Sequence, residues 1–168
     1  MNLIITSPCT ALWGDRQFRC AIGKNGIIAT EAKREGDGKT PAGLWVMREV
    51  FYRADRVAKP ETILPTRVLL PNDGWCDAPE DSNYNRLICH PYPASAENLW
   101  REDHLYDYII VLGHNDDPVR PHYGSAVFFH VASEDYSPSA GCITLNPDDV
   151  RMVLREANKN SCVQVLLP

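Results

Sequence analysis

One cysteine and one histidine carry the reactive chemistry of this chain. Cys142 ends the small-residue stretch Ser139-Ala140-Gly141-Cys142, and His130 precedes it at the end of Phe128-Phe129-His130. Acyl transfer needs that inventory: a thiolate to attack a carbonyl, an imidazole to take and return the proton, and free backbone N–H groups for the oxyanion. Gly141 suits such a turn because a residue without Cβ allows close backbone approach and positive φ. A cysteine near a histidine does not by itself identify an enzyme, since free cysteines are commonly small buried hydrophobes. The surrounding elements decide the matter.

Short β-rich runs separated by Gly, Pro, Asn and Asp predict a mainly β chain with a few helices. The expected strands are Leu3–Thr6, Phe18–Ile22, Leu44–Val50, Arg67–Leu70, Arg86–Cys89, Tyr108–Leu112, Ala126–Val131, Ile143–Leu145 and Cys162–Leu167. His130 falls at a strand end and Cys142 just before a strand start. The segment Gly36-Asp37-Gly38-Lys39-Thr40-Pro41-Ala42-Gly43 reads as turn chemistry, and residues 71–85 as an irregular surface insertion. One helix is well signalled: Asn146 suits the N-cap, Pro147 the first helical position, and Asp148-Asp149 the positive helix end. Val150, Val153, Leu154 and Ala157 form its buried stripe, with an end expected near Asn158–Asn160. Its positive end, so close to Cys142, is a candidate stabiliser of the thiolate. A shorter helix is expected around Ala94–Arg101.

The chain has 168 residues, 44% hydrophobic and 23% charged, which suits one domain with its own core, residues 1–168. A net charge of −5 with scattered basic residues argues against a nucleic-acid partner. No stretch is long and apolar enough for membrane insertion. Met1-Asn2-Leu3-Ile4-Ile5 lacks the basic start and apolar length of an export signal. The expectation is therefore a cytoplasmic protein, or a periplasmic one if the true start lies upstream. Six cysteines (Cys9, Cys20, Cys76, Cys89, Cys142, Cys162) contain no CxxC spacing, so no metal or other cofactor is expected. Apart from Cys142 they are expected to be packing residues.

Taken together, these residues resemble the L,D-transpeptidase (YkuD-like) catalytic domain, a family of cysteine acyltransferases acting on peptidoglycan stem peptides. The block from His130 through Ser139-x-Gly141-Cys142-Ile143 carries the likeness. The words Gly36-Asp37-Gly38-x-Thr40-Pro41-x-Gly43, Tyr52-Arg53-x-Asp55-Arg56, Gly74-Trp75-Cys76, Tyr84-Asn85-Arg86, Leu99-Trp100-Arg101, Tyr106-Asp107 and Gly124-Ser125-Ala126 extend it over almost the whole chain, toward a compact branch. Two positions depart from the commoner pattern: Ala140 stands where a histidine is usual, and Thr144 where an arginine is usual. The resemblance implies a mixed β-sandwich with a helix beside the cysteine, a Cys142 nucleophile and a His130 general base. It also suggests that the Ser139 carbonyl orients the imidazole. Gly141 and the Cys142 N–H are the candidate oxyanion donors.

His114 and Asn115, after the Tyr108–Leu112 run, are candidates for substrate binding, although an exposed loop histidine explains His114 equally well. Arg53 is a candidate for a peptide carboxylate, which arginine binds in a bidentate fashion, although a structural ion pair explains it as easily. The expected reaction is attack by Cys142 on the carbonyl of a meso-diaminopimelate L-centre, expelling D-alanine and leaving a thioester. Water as acceptor gives L,D-carboxypeptidase action on recycled tetrapeptides or other muropeptides, the favoured outcome for a cytoplasmic protein. An amine gives L,D-transpeptidation, forming 3→3 crosslinks or exchanging D-amino acids. A noncatalytic muropeptide-binding module and a zinc-stabilised domain are the alternatives from other classes. The sequence fixes no oligomeric state.

Overall fold

The computed structural model describes residues 1–168. In chain order the strands are β1 (Asn2–Thr6), β2 (Thr10–Trp13), β3 (Arg16–Arg19), β4 (Ile27–Ile28), β5 (Thr40–Pro41), β6 (Gly43–Tyr52) and β7 (Thr66–Val68). They continue with β8 (Asp73–Cys76), β9 (Leu87–Cys89), β10 (Ala96–Asn98), β11 (Tyr108–Leu112), β12 (Phe128–Val131) and β13 (Ile143–Leu145). Helix α1 (Pro147–Glu156) precedes β14 (Cys162–Val165). The protein is mainly β, with mixed sheets and one α-helix, as expected of a β-sandwich of this kind.

The principal sheet runs β13-β12-β11-β6-β14-β1-β2-β3, with β7 pairing β6. Successive side chains of a strand point to opposite faces, and that alternation divides the interior in two. Val50, Ile110, Phe129 and Val131 enter the larger core with β1, β2 and the apolar stripe of α1. Phe51, Ile109 and Phe128 enter a smaller core with Trp75, Leu99, Tyr106 and Cys142. His130 follows Phe128 at an interval of two, so the alternation carries its ring to the same side as Cys142. In the parallel β12–β13 pairing His130 lies opposite Thr144.

Helix α1 follows its sequence signals closely. The Asn146 side chain accepts from the Asp149 N–H, Pro147 opens the helix, and Val150, Val153 and Leu154 are buried. It ends at Glu156, with Ala157 as the cap, slightly earlier than expected. It packs into the larger core, on the opposite face of the sheet from Cys142. Its positive end is occupied by Asn146 and the acids of the first turn, so it does not serve the thiol.

Two expectations are corrected. The segment around Ala94–Arg101 is not a helix: Ala96–Asn98 forms β10, paired antiparallel with β8. Residues 71–85 are not merely a surface insertion, because Asp73, Gly74, Trp75 and Cys76 are buried as the central strand of a three-stranded sheet. The reason is tertiary. Asp73 receives both Arg67 Nη1 at 2.6 Å and Arg67 Nη2 at 2.9 Å, and Trp75 meets Phe128 edge-to-face at 5.1 Å. These partners, Phe128 above all, outweigh local propensity.

Candidate active site

The turn before Cys142 is shaped by residues distant in sequence. Gly141 has φ +149°, which L side chains rarely adopt, and a Cβ there would stand 2.9 Å from the Lys39 carbonyl oxygen. Thr40, fully buried, donates its hydroxyl to the Gly141 carbonyl at 2.9 Å and accepts from the Gly23 N–H at 2.8 Å. Ser139 Oγ donates to the Cys142 carbonyl at 2.6 Å and accepts from the Gly141 N–H at 3.0 Å. The Gly141 N–H is thus engaged, whereas those of Ala140 and Cys142 have no protein partner. Of the two N–H groups expected to be open, only that of Cys142 is; the Ala140 N–H is open in place of that of Gly141.

The thiol is enclosed. Cys142 Sγ donates to the Ala126 carbonyl at 3.2 Å and accepts from the Phe128 N–H at 3.4 Å. Burial, and then the negative charge of Glu97, push its pKa up to about 12. Asn85 sets the position of the Ala126 peptide: its Oδ1 accepts from the Ala126 N–H at 3.1 Å and from Trp75 Nε1 at 2.9 Å.

His130 is oriented by main-chain carbonyls, but not by that of Ser139. Its Nδ1 lies 2.9 Å from the Val131 oxygen and 3.2 Å from that of Leu105, while the Ser139 carbonyl accepts from the Lys24 N–H. Two acceptors at Nδ1 fix the proton there and leave Nε2 as the basic nitrogen. Burial lowers the imidazole pKa to about 4, which favours a neutral ring. The Tyr106 ring meets the imidazole edge-on at 4.9 Å.

Cys142, His130, Gly141 and Ser139 all line one cleft of about 470 Å³. Its walls also carry Lys33, Glu35, Asp77, Glu97, Arg101 and Tyr106, which residue types alone did not single out. Lys33 is buried, and its ammonium contacts Asp37 at 2.5 Å. Asp37 in turn accepts from the N–H groups of Arg34 and Lys39. The Gly-Asp-Gly-x-Thr-Pro word therefore braces the site, Asp37 holding Lys33 and Thr40 holding the Gly141 carbonyl, rather than only feeding a strand.

The three substrate-binding candidates lie elsewhere. His114 and Asn115 line a separate cavity of about 770 Å³ that shares no residue with the Cys142 cleft. His114 is buried beside Trp45, its Nε2 3.1 Å from the Tyr123 carbonyl, and burial lowers its pKa to about 4. Asn115 Nδ2 is held by the Arg120 and Gly124 carbonyls. Arg53 makes a double contact with Asp55, donates to the Arg101 carbonyl at 2.7 Å and stacks on Trp100. Arg53 thus braces the segment bearing Arg101 and Tyr106, and it does not line the Cys142 cleft. Thr144 is buried, and its main chain pairs with Ala21 in both directions. The cations facing the cleft are Lys33 and Arg101.

Searches of curated proteins and of solved structures returned no match to this chain. The model of the L,D-transpeptidase catalytic domain, YkuD, matches residues 12–165, which include every element of the cleft. The chain belongs to the YkuD family of L,D-transpeptidase catalytic domains.

Proposed function

We propose that this protein is a cysteine L,D-carboxypeptidase that removes the terminal D-alanine from peptidoglycan tetrapeptide stems through a thioester on Cys142. The observation that supports it most is the single cleft lined by both Cys142 and His130, with the N–H groups of Ala140 and Cys142 free of protein partners. Burial of both side chains favours the protonation states that general-base catalysis requires. Turning the thiol away from the Ala126 carbonyl toward His130 Nε2 transfers its proton to the imidazole as the sulfur attacks the carbonyl of the diaminopimelate L-centre. The tetrahedral oxyanion meets the Ala140 and Cys142 N–H groups. Collapse breaks the amide C–N bond, and His130 returns the proton to the departing D-alanine nitrogen. Water, deprotonated by His130, then hydrolyses the thioester and releases tripeptide and free thiol.

Hydrolysis as the outcome is favoured by the size of the cleft. About 470 Å³ lies within the range of a small-ligand site and suits one stem end. Water needs no second seat for an acceptor strand. Mass spectrometry of products from a purified tetrapeptide stem, with and without an added D-amino acid, tests the reading. Tripeptide and D-alanine should dominate in both samples; crosslinked or D-amino-acid-exchanged products in excess would make the enzyme a transpeptidase.

A further inference from the structure

The charges of the cleft are not balanced internally. Lys33 is paired with Asp37, and Arg101 with Asp103 at 2.6 Å. Asp77, Glu97 and Glu35, which line the same cleft, form no ion pair with any basic side chain of the protein. Glu35 is nonetheless held, its Oε2 accepting from Ser125 Oγ at 2.7 Å and from the Tyr84 hydroxyl. Asp77 Oδ1 is buried with no donor at all. The Tyr106 hydroxyl donates to Glu97 Oε1, which fixes this carboxylate while leaving its second oxygen without a protein donor. The ring of that tyrosine abuts His130, and Glu97 lines the same cleft as Cys142, where its negative charge disfavours a thiolate. A low-dielectric cleft with spare carboxylate oxygens and no spare cation is complementary to an ammonium group.

We propose that Glu97 is the specificity-determining residue of this site: it pairs with a free primary ammonium on the side chain of the acyl donor, and that pairing eases release of the Cys142 proton to His130. The first half rests on the acyl-transfer reading above; the second rests on the placement of Glu97 alone. In the empty cleft the carboxylate opposes a thiolate. A bound ammonium cancels that opposition, so the nucleophile is released when the correct donor is present. The other groups facing Glu97 are Tyr106, Arg101, Asp77, Glu35 and Cys142. Of these only Arg101 is cationic, and Asp103 already holds it; Lys33, which opposes Glu97 at the Cys142 thiol, is held by Asp37.

Two measurements on wild type and Glu97→Gln test the two halves separately. The glutamine amide oxygen still accepts from Tyr106, so the variant should fold, as a melting curve will show. The first is the rate of Cys142 alkylation by neutral iodoacetamide across pH, read by peptide mass spectrometry without substrate. Glu97→Gln should react roughly tenfold faster at a given pH, its profile displaced to lower pH. Coincident profiles would overturn the electrostatic role. Glu97→Ala should shift the profile in the same direction, and provides the second variant should Glu97→Gln not fold.

The second is kcat/KM for the tetrapeptide stem with its diaminopimelate side-chain amine free or N-acetylated. Acetylation should cost wild type roughly ten- to hundredfold, the worth of a charge-assisted hydrogen bond, and cost Glu97→Gln less than about threefold. Equal costs in both proteins would overturn the recognition role. Turnover of neither peptide by wild type contradicts the acyl-transfer reading instead, and the alkylation profiles still decide the electrostatic half.

Discussion

Replacing Asn85 should loosen the site without touching a reacting atom. Asn85 is 5% exposed, sits at φ 56°, and satisfies four partners with one amide. Its Oδ1 accepts from Trp75 Nε1 and the Ala126 N–H, while its Nδ2 donates to the His114 and Asn115 carbonyls at 3.1 and 2.8 Å. Asn85→Ala removes all four bonds and leaves a methyl-bearing residue in the left-handed region. Orphaned buried polar groups cost about 1–3 kcal/mol each, and the left-handed conformation about 1 kcal/mol more. Neighbouring losses are not additive, so a total of about 4 kcal/mol is expected, lowering Tm by roughly 10 °C in a chain of this size. Asn85→Gly loses the same bonds but not the backbone preference. It should therefore be more stable than Asn85→Ala by about 1 kcal/mol, against the usual ranking of these residues. Both variants should lose activity beyond their loss of folded protein, because the Ala126 carbonyl that holds the thiol is freed. Calorimetric melts with turnover measured well below Tm provide the assay. An Asn85→Ala protein within about 1 kcal/mol of wild type, or more stable than Asn85→Gly, would refute the reasoning.

Other outcomes follow from the same geometry. His130→Ala should reduce turnover by about 10²–10⁴-fold, with partial recovery at high pH as thiolate forms unaided; a larger defect in His114→Ala would transfer the role to that histidine. Thr40→Val, which removes the clamp on the Gly141 carbonyl, should lower kcat more than it raises KM; an unchanged kcat would show that the clamp does not position the turn. His130 and His114 both have pKa values lowered to about 4 by burial, so the unfolded chain binds more protons between about pH 6.5 and 4. Stability should fall as pH drops through that window, by up to about 3 kcal/mol per histidine, and His114→Gln should flatten the slope of a Tm-against-pH series. An undiminished slope in that variant would remove His114 from the account.

That Cys142 and His130 share one cleft was legible because motif spacing and strand alternation are local. Phe128 and His130 share a face by the period of two, and Cys142 follows a turn that only Gly141 can make. Helix α1 was legible for the same reason, its cap and stripe lying within a few turns of chain. What could not be read lies in contacts between distant segments. Thr40 reaches Gly141 across the chain, and Arg53 and Arg56 brace the segment that delivers Arg101 and Tyr106. These residues do occur in the recurring words, yet a word does not state its partner. The strand at Ala96–Asn98 was missed for a related reason: a three-residue strand has too few side chains to display alternation, and β8 decides its conformation. For Arg53 the sequence left a peptide carboxylate and a structural ion pair equally open, and the carboxylate it meets in the structure is that of Asp55.

The central claim is acyl transfer through Cys142, and intact-protein mass spectrometry tests it most directly. Wild-type protein mixed rapidly with a tetrapeptide stem and quenched in acid should carry a tripeptidyl adduct mapped to Cys142, with one D-alanine released per adduct. The adduct should be lost to hydroxylamine, as a thioester is, and Cys142→Ala should form none while retaining its fold. D-alanine release by folded Cys142→Ala, or an adduct on any of the other five cysteines, would contradict the account.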